Sequence, residues 1–411
     1  RLKNPKLQQR LRIRARILAL IREFFVKEGF LEVETPILVP AAGQEPHLNP
    51  LRVEFDRPPL NLPLQEGEKT ISSPARGEAR RGGSNRAYLI TSPDYAHKKL
   101  LAAGFERIFE STRAFRGGEK WGGLHNPEFT ILEWYRAGAD YTAIMKDVEK
   151  LVQFVRQSVI ATKRPKRAHG EISHATTVQG VGSFAGAQDD KIALLYQGKT
   201  IDLSPPWQRL TMVEAWQKYA GIAIRRKTHD REFFAEQCRA CGYTTKHTDT
   251  YEDLFFKIFL TKIEPKLGFP KPTILYEWPA QMAALARIKN EELRMKNDEK
   301  KPPLNLPLQK GERKGVAERF ELYIAGMELA NAFSELNDAQ EQRRRFLEER
   351  KLRQKLGKEI IPLDKDFLDA VGHLPPSAGI ALGVDRLVML LTNAARLEEV
   401  LAFPAEELFG A

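Results

Sequence analysis

Cysteine is nearly absent from this chain of 411 residues: Cys238 and Cys241 form a lone C-x-x-C. A zinc site would need two more ligands nearby, and a redox site a thioredoxin-like βαβ setting; neither pattern is present. The pair reads as ordinary thiols of a protein kept in a reducing cytoplasm. Long apolar runs are missing as well. No stretch approaches the roughly 20 residues of a membrane span. The basic segment Arg1 to Arg16 is interrupted by polar residues, which excludes a secretory signal. The first residue is Arg rather than Met, which leaves room for residues ahead of it.

Acidic charge is in deficit. Lys and Arg number 65 against 54 Asp and Glu, a net charge of +11 with a pI near 9.4. That balance suits an acidic partner, either RNA or a protein with an acidic face. With 42% hydrophobic and 29% charged residues, the composition is that of an ordinary globular chain. Its length allows one large domain or two smaller ones.

One internal repeat stands out. Pro58-Pro59-Leu60-Asn61-Leu62-Pro63-Leu64-Gln65 recurs letter for letter from Pro302 to Gln309. Two distant copies without further periodicity do not make a solenoid. Both are rich in Pro and charge and lack a helical or strand period. They read as insertions into surface loops, where added length costs little. Segments 57–85, 164–190 and 293–315 are therefore expected to be loop insertions in a single domain spanning 1–411.

The remainder is well patterned. Ile13, Ile17, Leu20, Ile21, Phe24 and Phe25 mark an amphipathic helix that ends at Gly29. Val33 to Val39 reads as extended, broken by Pro36. Ser92 is expected as an N-cap with Pro93 at the first helical position. Strand patterns cover Glu128 to Arg136, Phe320 to Ile324 and Ile380 to Leu382, and Arg343 to Leu356 is a charged helix. Strands and helices without a βαβ rhythm predict an α+β fold with an antiparallel sheet.

Three stretches carry chemistry. Alternate strand residues share a face, so Phe129, Ile131, Glu133 and Tyr135 point one way. Phe129 could stack on a base, Glu133 and Tyr135 could meet an ammonium group, and Arg116 across the hairpin could grip a phosphate. Ala325-Gly326 suits a hairpin turn. That turn would put Glu321 opposite Ala330 and Glu328 opposite Tyr323, with both carboxylates on one side. Adjacent carboxylates repel unless a cation or proton lies between them, and Mg²⁺ held against substrate phosphates is the natural cation. Gly379 to Arg386 reads as a strand, a Gly turn and a helix start that favours anions. Each stretch alone equally suits plain structure: a half-exposed hairpin, two edge glutamates, a close-packed turn.

Taken in order, the stretches resemble the class II aminoacyl-tRNA synthetases of the lysine type. Gly29 to Pro36 looks like motif 1, the dimer-forming element, and Phe115 to Tyr135 like motif 2. Glu321 to Glu335 is similar to the lysine-type segment, and Gly379 to Leu390 to motif 3. The implied fold is an antiparallel sheet flanked by helices. Within that group the chain most resembles the elongation factor P–(R)-β-lysine ligase family. Glu133-Trp134-Tyr135-Arg136 has the ligase spelling, and Ala381 stands where lysyl-tRNA synthetases usually carry Gly. The chain also begins about where a catalytic domain would, which leaves no room for an anticodon-binding domain.

The resemblance implies an ATP-dependent, AMP-forming ligase with Mg²⁺, and Arg116, Glu328 and Arg386 as its catalytic groups. Ser92, Pro93, Asp94, Glu133, Asn331 and Ala381 would contact the amino acid, with Glu328 close by. Tyr135 and Glu335 would receive its side-chain ammonium. Arg116, Gly117, Gly118, Glu119, His125, Asn126, Phe129, Glu321, Leu322, Gly383 and Arg386 would form the ATP site, and Glu321 and Glu328 would hold the metal. Asp94 replaces the usual Glu, a reach one methylene shorter. The loop Gly117 to Leu124 is one residue longer than the family pattern, which leaves the register at Gly118 and Glu119 open. The implied partner is elongation factor P rather than tRNA, in a cytoplasmic homodimer. The rivals are a short lysyl-tRNA synthetase paralogue and a non-catalytic adenylate-binding regulator.

Overall fold

The computed structural model of the chain describes residues 1–54, 86–118, 121–161, 192–224, 230–289 and 315–410. The three expected insertions, apart from Gly315, lie outside the described residues, and so does Glu119.

The first strands are β1 (Leu31–Glu32), β2 (Leu38–Val39), β3 (Arg52–Glu54), β4 (Arg86–Leu89), β5 (Arg107–Phe115) and β6 (Glu128–Ala137). There follow β7 (Ala193–Tyr196), β8 (Lys199–Asp202), β9 (Gln208–Thr211), β10 (Thr273–Pro279) and β11 (Ile288–Lys289). The last are β12 (Val316–Ile324), β13 (Met327–Ser334) and β14 (Ser377–Gly383). A nine-stranded sheet runs in the order β1-β5-β6-β14-β13-β12-β10-β9, with β11 on β12. Its interior pairs, β5 through β10, are antiparallel as expected. Both edges differ: β1 runs parallel to β5, and β9 parallel to β10. Each edge strand arrives from a helical or irregular connection rather than a hairpin, so nothing forces it to run antiparallel.

Helix α1 (Pro5–Lys27) starts on Asn4, whose side chain accepts from Lys6 N and Leu7 N, with Pro5 in its first turn. It ends before Gly29, which has a φ of 77°. Its apolar stripe lies on the sheet. The Phe25 ring stacks on Phe109 at 4.7 Å and meets Trp134 at 5.1 Å, while Phe24 touches Phe154 of α3 (Tyr141–Ala161) at 5.7 Å. Burying each such side chain stabilises the fold by about 1.5–3 kcal/mol. Of the expected extended stretch, only Leu38–Val39 is a strand; Thr35 instead donates from N and Oγ1 to the Glu110 carboxylate.

Helix α2 (Asp94–Ala102) begins one residue later than its sequence suggests. Pro93 precedes the first turn, and Ser92 Oγ accepts from Asp94 N at 3.2 Å. That slip matters, because it aims Asp94 inward.

The hairpin β12–β13 turns at Ala325 and Gly326, both with positive φ (60° and 76°), as a primed two-residue turn requires. The turn rests on Gly268, where a Cβ would lie 2.6 Å from Ala325 N. Glu328 pairs with Tyr323 as expected, but Glu321 sits opposite Asn331 and not Ala330. The register shifts between Leu322 and Tyr323, a bulge that places an extra residue, Leu329, on β13.

Candidate active site

The two hairpins and β14 lie side by side, so one face of the sheet carries all three chemical stretches. Over that face opens a cavity of about 740 Å³. Ser92, Pro93, Asp94, Arg116, His125, Asn126, Phe129, Glu133, Tyr135, Glu328, Asn331, Ala381, Gly383 and Arg386 all line it. Glu335 and Glu321 stand just behind its wall, 1% and 5% exposed. Gly117 donates from N to Asn49 O at 2.7 Å, and a Cβ on Gly118 would lie 2.6 Å from Asn49 Nδ2, so both pack on a neighbouring loop. Leu322 is fully buried in the core, so no side-chain role in nucleotide binding is open to it.

The inner end is a buried charge cluster. Tyr135 OH lies 2.7 Å from Asp94 Oδ1 and 2.9 Å from Glu133 Oε2, with one proton to serve either. Ser92 Oγ donates to Glu133 Oε1 at 2.5 Å. Lys98 Nζ is 2.8 Å from Glu335 Oε2 and 3.1 Å from each Asp94 oxygen. Behind them, His97 Nε2 is 2.9 Å from Glu110 Oε2, and its Nδ1 is 3.7 Å from Glu133. A Cβ at Gly379 would lie 2.1 Å from the Tyr135 ring, so only glycine permits this packing.

Burial opposes the charge on His97, but the hydrogen bond to Glu110 and the nearby Glu133 carboxylate outweigh it and hold the pKa at about 9. Burial likewise opposes the Lys98 charge, and Asp94 and Glu335 more than offset it, raising its pKa. Burial lifts Glu335 to about 8; Lys98 pulls it down and the Asp94 charge pushes it up.

The outer end is arginine-rich. Arg116 lies over the Phe129 ring at 5.1 Å, and its Nε is closed off from solvent with no hydrogen-bond partner among the described residues. Arg386 donates from Nη1 to Glu328 O at 2.8 Å and stands 3.9 Å from Glu328 Oε2. Glu321 accepts from Arg319 Nη2 and from Tyr323 OH, each at 2.5 Å. Burial raises Glu321 to about 8, with the Glu328 charge as the second cause. Burial and Glu328 also hold Glu264 at about 7. Asn126 ties the hairpin in place: its Nδ2 donates to Glu128 O, and its Oδ1 accepts from Ala405 N.

Among the described residues no three His, Cys, Asp or Glu side chains form a metal-binding group. The Glu328 charge nevertheless raises the pKa of its neighbour Glu321. A hard cation there would complete its shell with phosphate oxygens and water. Cys238 is buried and Cys241 partly so, both free.

Lys98, His97, Glu110, Glu264 and Arg319 were missed from the sequence. Lys98 left a signal, since it falls one helical turn after Asp94. His97 follows Asp94 by three residues on the same helix and Arg319 precedes Glu321 by two on the same strand, while Glu110 and Glu264 are joined to the site only by long-range packing.

A family model described as tRNA synthetases class II (D, K and N) matches residues 1–407. The elongation factor P--(R)-beta-lysine ligase of Histophilus somni is 34% identical over 397 residues, 96% of this chain and 94% of that protein. The ligase of the same name from Haemophilus ducreyi is 33% identical, covering 96% and 93%. The lysine--tRNA ligase of Pelotomaculum thermopropionicum is 31% identical over 98% of this chain, which spans 64% of that protein's length. The chain belongs to the class II tRNA synthetases of the D, K and N group.

Proposed function

We propose that this protein activates a lysine-type amino acid, (R)-β-lysine, as its adenylate and transfers it to a lysine side chain of elongation factor P. The observation that carries this reading is one cavity with a buried acidic inner end and an arginine-flanked outer end. The inner end suits an alkylammonium, the outer end a polyphosphate.

The amino-acid carboxylate is already a nucleophile and needs no general base. It attacks the ATP α-phosphorus, the bond to the leaving pyrophosphate breaks, and an acyl-phosphate bond forms. Arg116 neutralises the charge that develops on the α-phosphate, and Arg386 holds the departing phosphates. Phe129 offers its ring face to the base. Glu321 and Glu328 fit Mg²⁺, which would screen the phosphate charge when bound. In the second step the acceptor amine attacks the acyl carbon; an amide forms, and AMP and a proton leave. Positioning supplies most of the acceleration in both steps.

Near-complete coverage of the elongation factor P ligases supports the protein acceptor. Ala381, between Asn331 and Glu133 in the sheet, narrows the wall of the amino-acid site. Exposed Val26, Leu31, Leu38 and Phe105 give the motif 1 region the apolar surface a homodimer would cover. The segments 57–85, 164–190 and 293–315 are loop insertions in one catalytic domain, and the protein works in the cytoplasm. Among the described residues no helix is long and apolar enough to cross a membrane.

The test offers enzyme, ATP and each lysine isomer to elongation factor P and to tRNA(Lys), following acceptor mass and acid-precipitable label. A mass increase on one lysine of elongation factor P, with little tRNA charging, is expected. Efficient tRNA charging with elongation factor P untouched would instead establish a synthetase paralogue.

A further inference from the structure

Glu45 is a carboxylate that the reading above does not use. It lies between β2 and β3 and lines the cavity beside Ser92, Asp94 and Arg116. Its backbone is fixed from behind. Arg353 Nη1 donates to Glu45 O at 2.9 Å and to Leu48 O at 3.0 Å, and Lys358 Nζ donates to Pro46 O at 2.7 Å. Gln44 Nε2 donates to Pro362 O at 3.0 Å. The side chain folds over Gly43, where a Cβ would lie 2.2 Å from Glu45 Oε2 and 3.3 Å from Thr91 Oγ1. A rigid loop therefore aims this carboxylate, and residue 43 must be glycine for it to rest there.

The carboxylate is unfinished. Oε2 is closed off from solvent and has no hydrogen-bond partner among the described residues. Burial raises its pKa; its own backbone N–H lowers it, the Asp94 charge raises it, and Arg116 and Lys98 lower it. Keeping such an oxygen without a partner is costly unless a cation arrives to complete it. Asp94, by contrast, is already engaged: Tyr135 OH and Lys98 Nζ occupy its two oxygens. The shorter Asp side chain is thus held inward, away from a substrate amino group at the outer end.

We propose that Glu45 is a specificity-determining residue that accepts a hydrogen bond from the substrate amino group nearest its carboxylate. The cavity then holds an ammonium at each end of a diamino acid: the terminal one at the inner cluster, the other on Glu45. This rests on the lysine-type reading of the substrate. The substrate carboxylate must point toward Arg116 for activation, and Glu45 is close enough to both Arg116 and Asp94 for their charges to act on its carboxyl.

The test is calorimetric titration of the full-length wild-type and Glu45→Gln proteins with L-lysine, (R)-β-lysine and 6-aminohexanoate. The last keeps the carboxylate and the terminal ammonium but has no amino group near the carboxylate. Glu45→Gln should bind both lysines at least tenfold more weakly, while 6-aminohexanoate and ATP bind both proteins within about twofold. Gly43→Ala, which displaces the carboxylate without removing it, should show the same discrimination if Glu45→Gln folds poorly. Unchanged lysine binding, or equal loss of all three ligands, overturns the assignment of Glu45. A wild-type protein that discriminates in this way yet supports no amino-acid-dependent pyrophosphate exchange would overturn the activation reading and leave Glu45 in place.

Discussion

At the inner end of the cavity, Asp94, Glu110, Glu133 and Glu335 share Lys98 and His97, and each carboxylate has a protein group within bonding distance. At the outer end, Arg116 Nε and Glu45 Oε2 are closed off from water and have no hydrogen-bond partner among the described residues. Folding gives each inner carboxylate a charged or hydroxyl partner, although Glu335 Oε1 and His97 Nδ1 stay without a hydrogen bond among the described residues; the two outer atoms have no such partner. The inner end is therefore a preorganised receptor whose residues carry stability. The outer end carries its energy into binding and the reaction. Four inner carboxylates against two cations also leave an acidic excess, which a substrate ammonium can meet.

Substitutions at the outer end should break that division most visibly. Glu328→Gln or Arg116→Met should lower adenylate formation by about 10²–10³-fold, the scale of losing a group that stabilises developing charge. Urea unfolding should stay within about 1 kcal/mol of wild type. Pyrophosphate exchange and chemical unfolding of the same preparations check both halves, and wild-type exchange in Glu328→Gln removes that residue from the mechanism.

Lys98→Met reverses the pattern. It strands Asp94 and Glu335 as uncompensated buried acids and should destabilise the fold by about 3–5 kcal/mol in urea. A variant as stable as wild type would show that the inner cluster is not held together by its charges.

The pH dependence of stability sharpens the same point. His97 is held at about 9 against an ordinary 6.5. The fold favours its charged form, so that contribution is complete below about pH 6.5 and is lost as pH rises through about 9. Wild type should lose more stability than His97→Gln between pH 7 and 9.5 in matched urea titrations. Parallel curves for the two proteins would mean that His97 is neutral.

Much of this arrangement was legible before the coordinates, for physical reasons. The alternation Phe129, Ile131, Glu133, Tyr135 marks one strand face, and all four line the cavity. Gly326 marks the turn, since glycine takes a positive φ freely, and Ala325 beside it also lies in the left-handed region at φ 60°. What stayed hidden is long-range or irregular. The extra residue at Leu329 leaves no trace in composition, so the pairing of Glu321 was off by one. Parallel edge strands of two to four residues carry no period of their own. Glu45 lies on a loop without periodicity, and only its packing over Gly43 gives it a direction.

The smallest effect belongs to the wall shared by both ends. Ala381 faces Asn331 on one side and Glu133 on the other. Ala381→Gly removes one methyl group and should shift the ratio of exchange rates toward L-lysine by about 10–100-fold at most, since a methylene in a pocket is worth only about 1–3 kcal/mol. An unchanged ratio would free Ala381 from any part in choosing the isomer.

The central claim is that the cavity activates a lysine-type amino acid, and ATP–pyrophosphate exchange measures that step directly. Wild-type protein with Mg²⁺ and ATP should exchange label with (R)-β-lysine, more slowly with L-lysine, and at background without an amino acid. Background exchange with both lysines, from a folded protein that still binds ATP, would contradict the account.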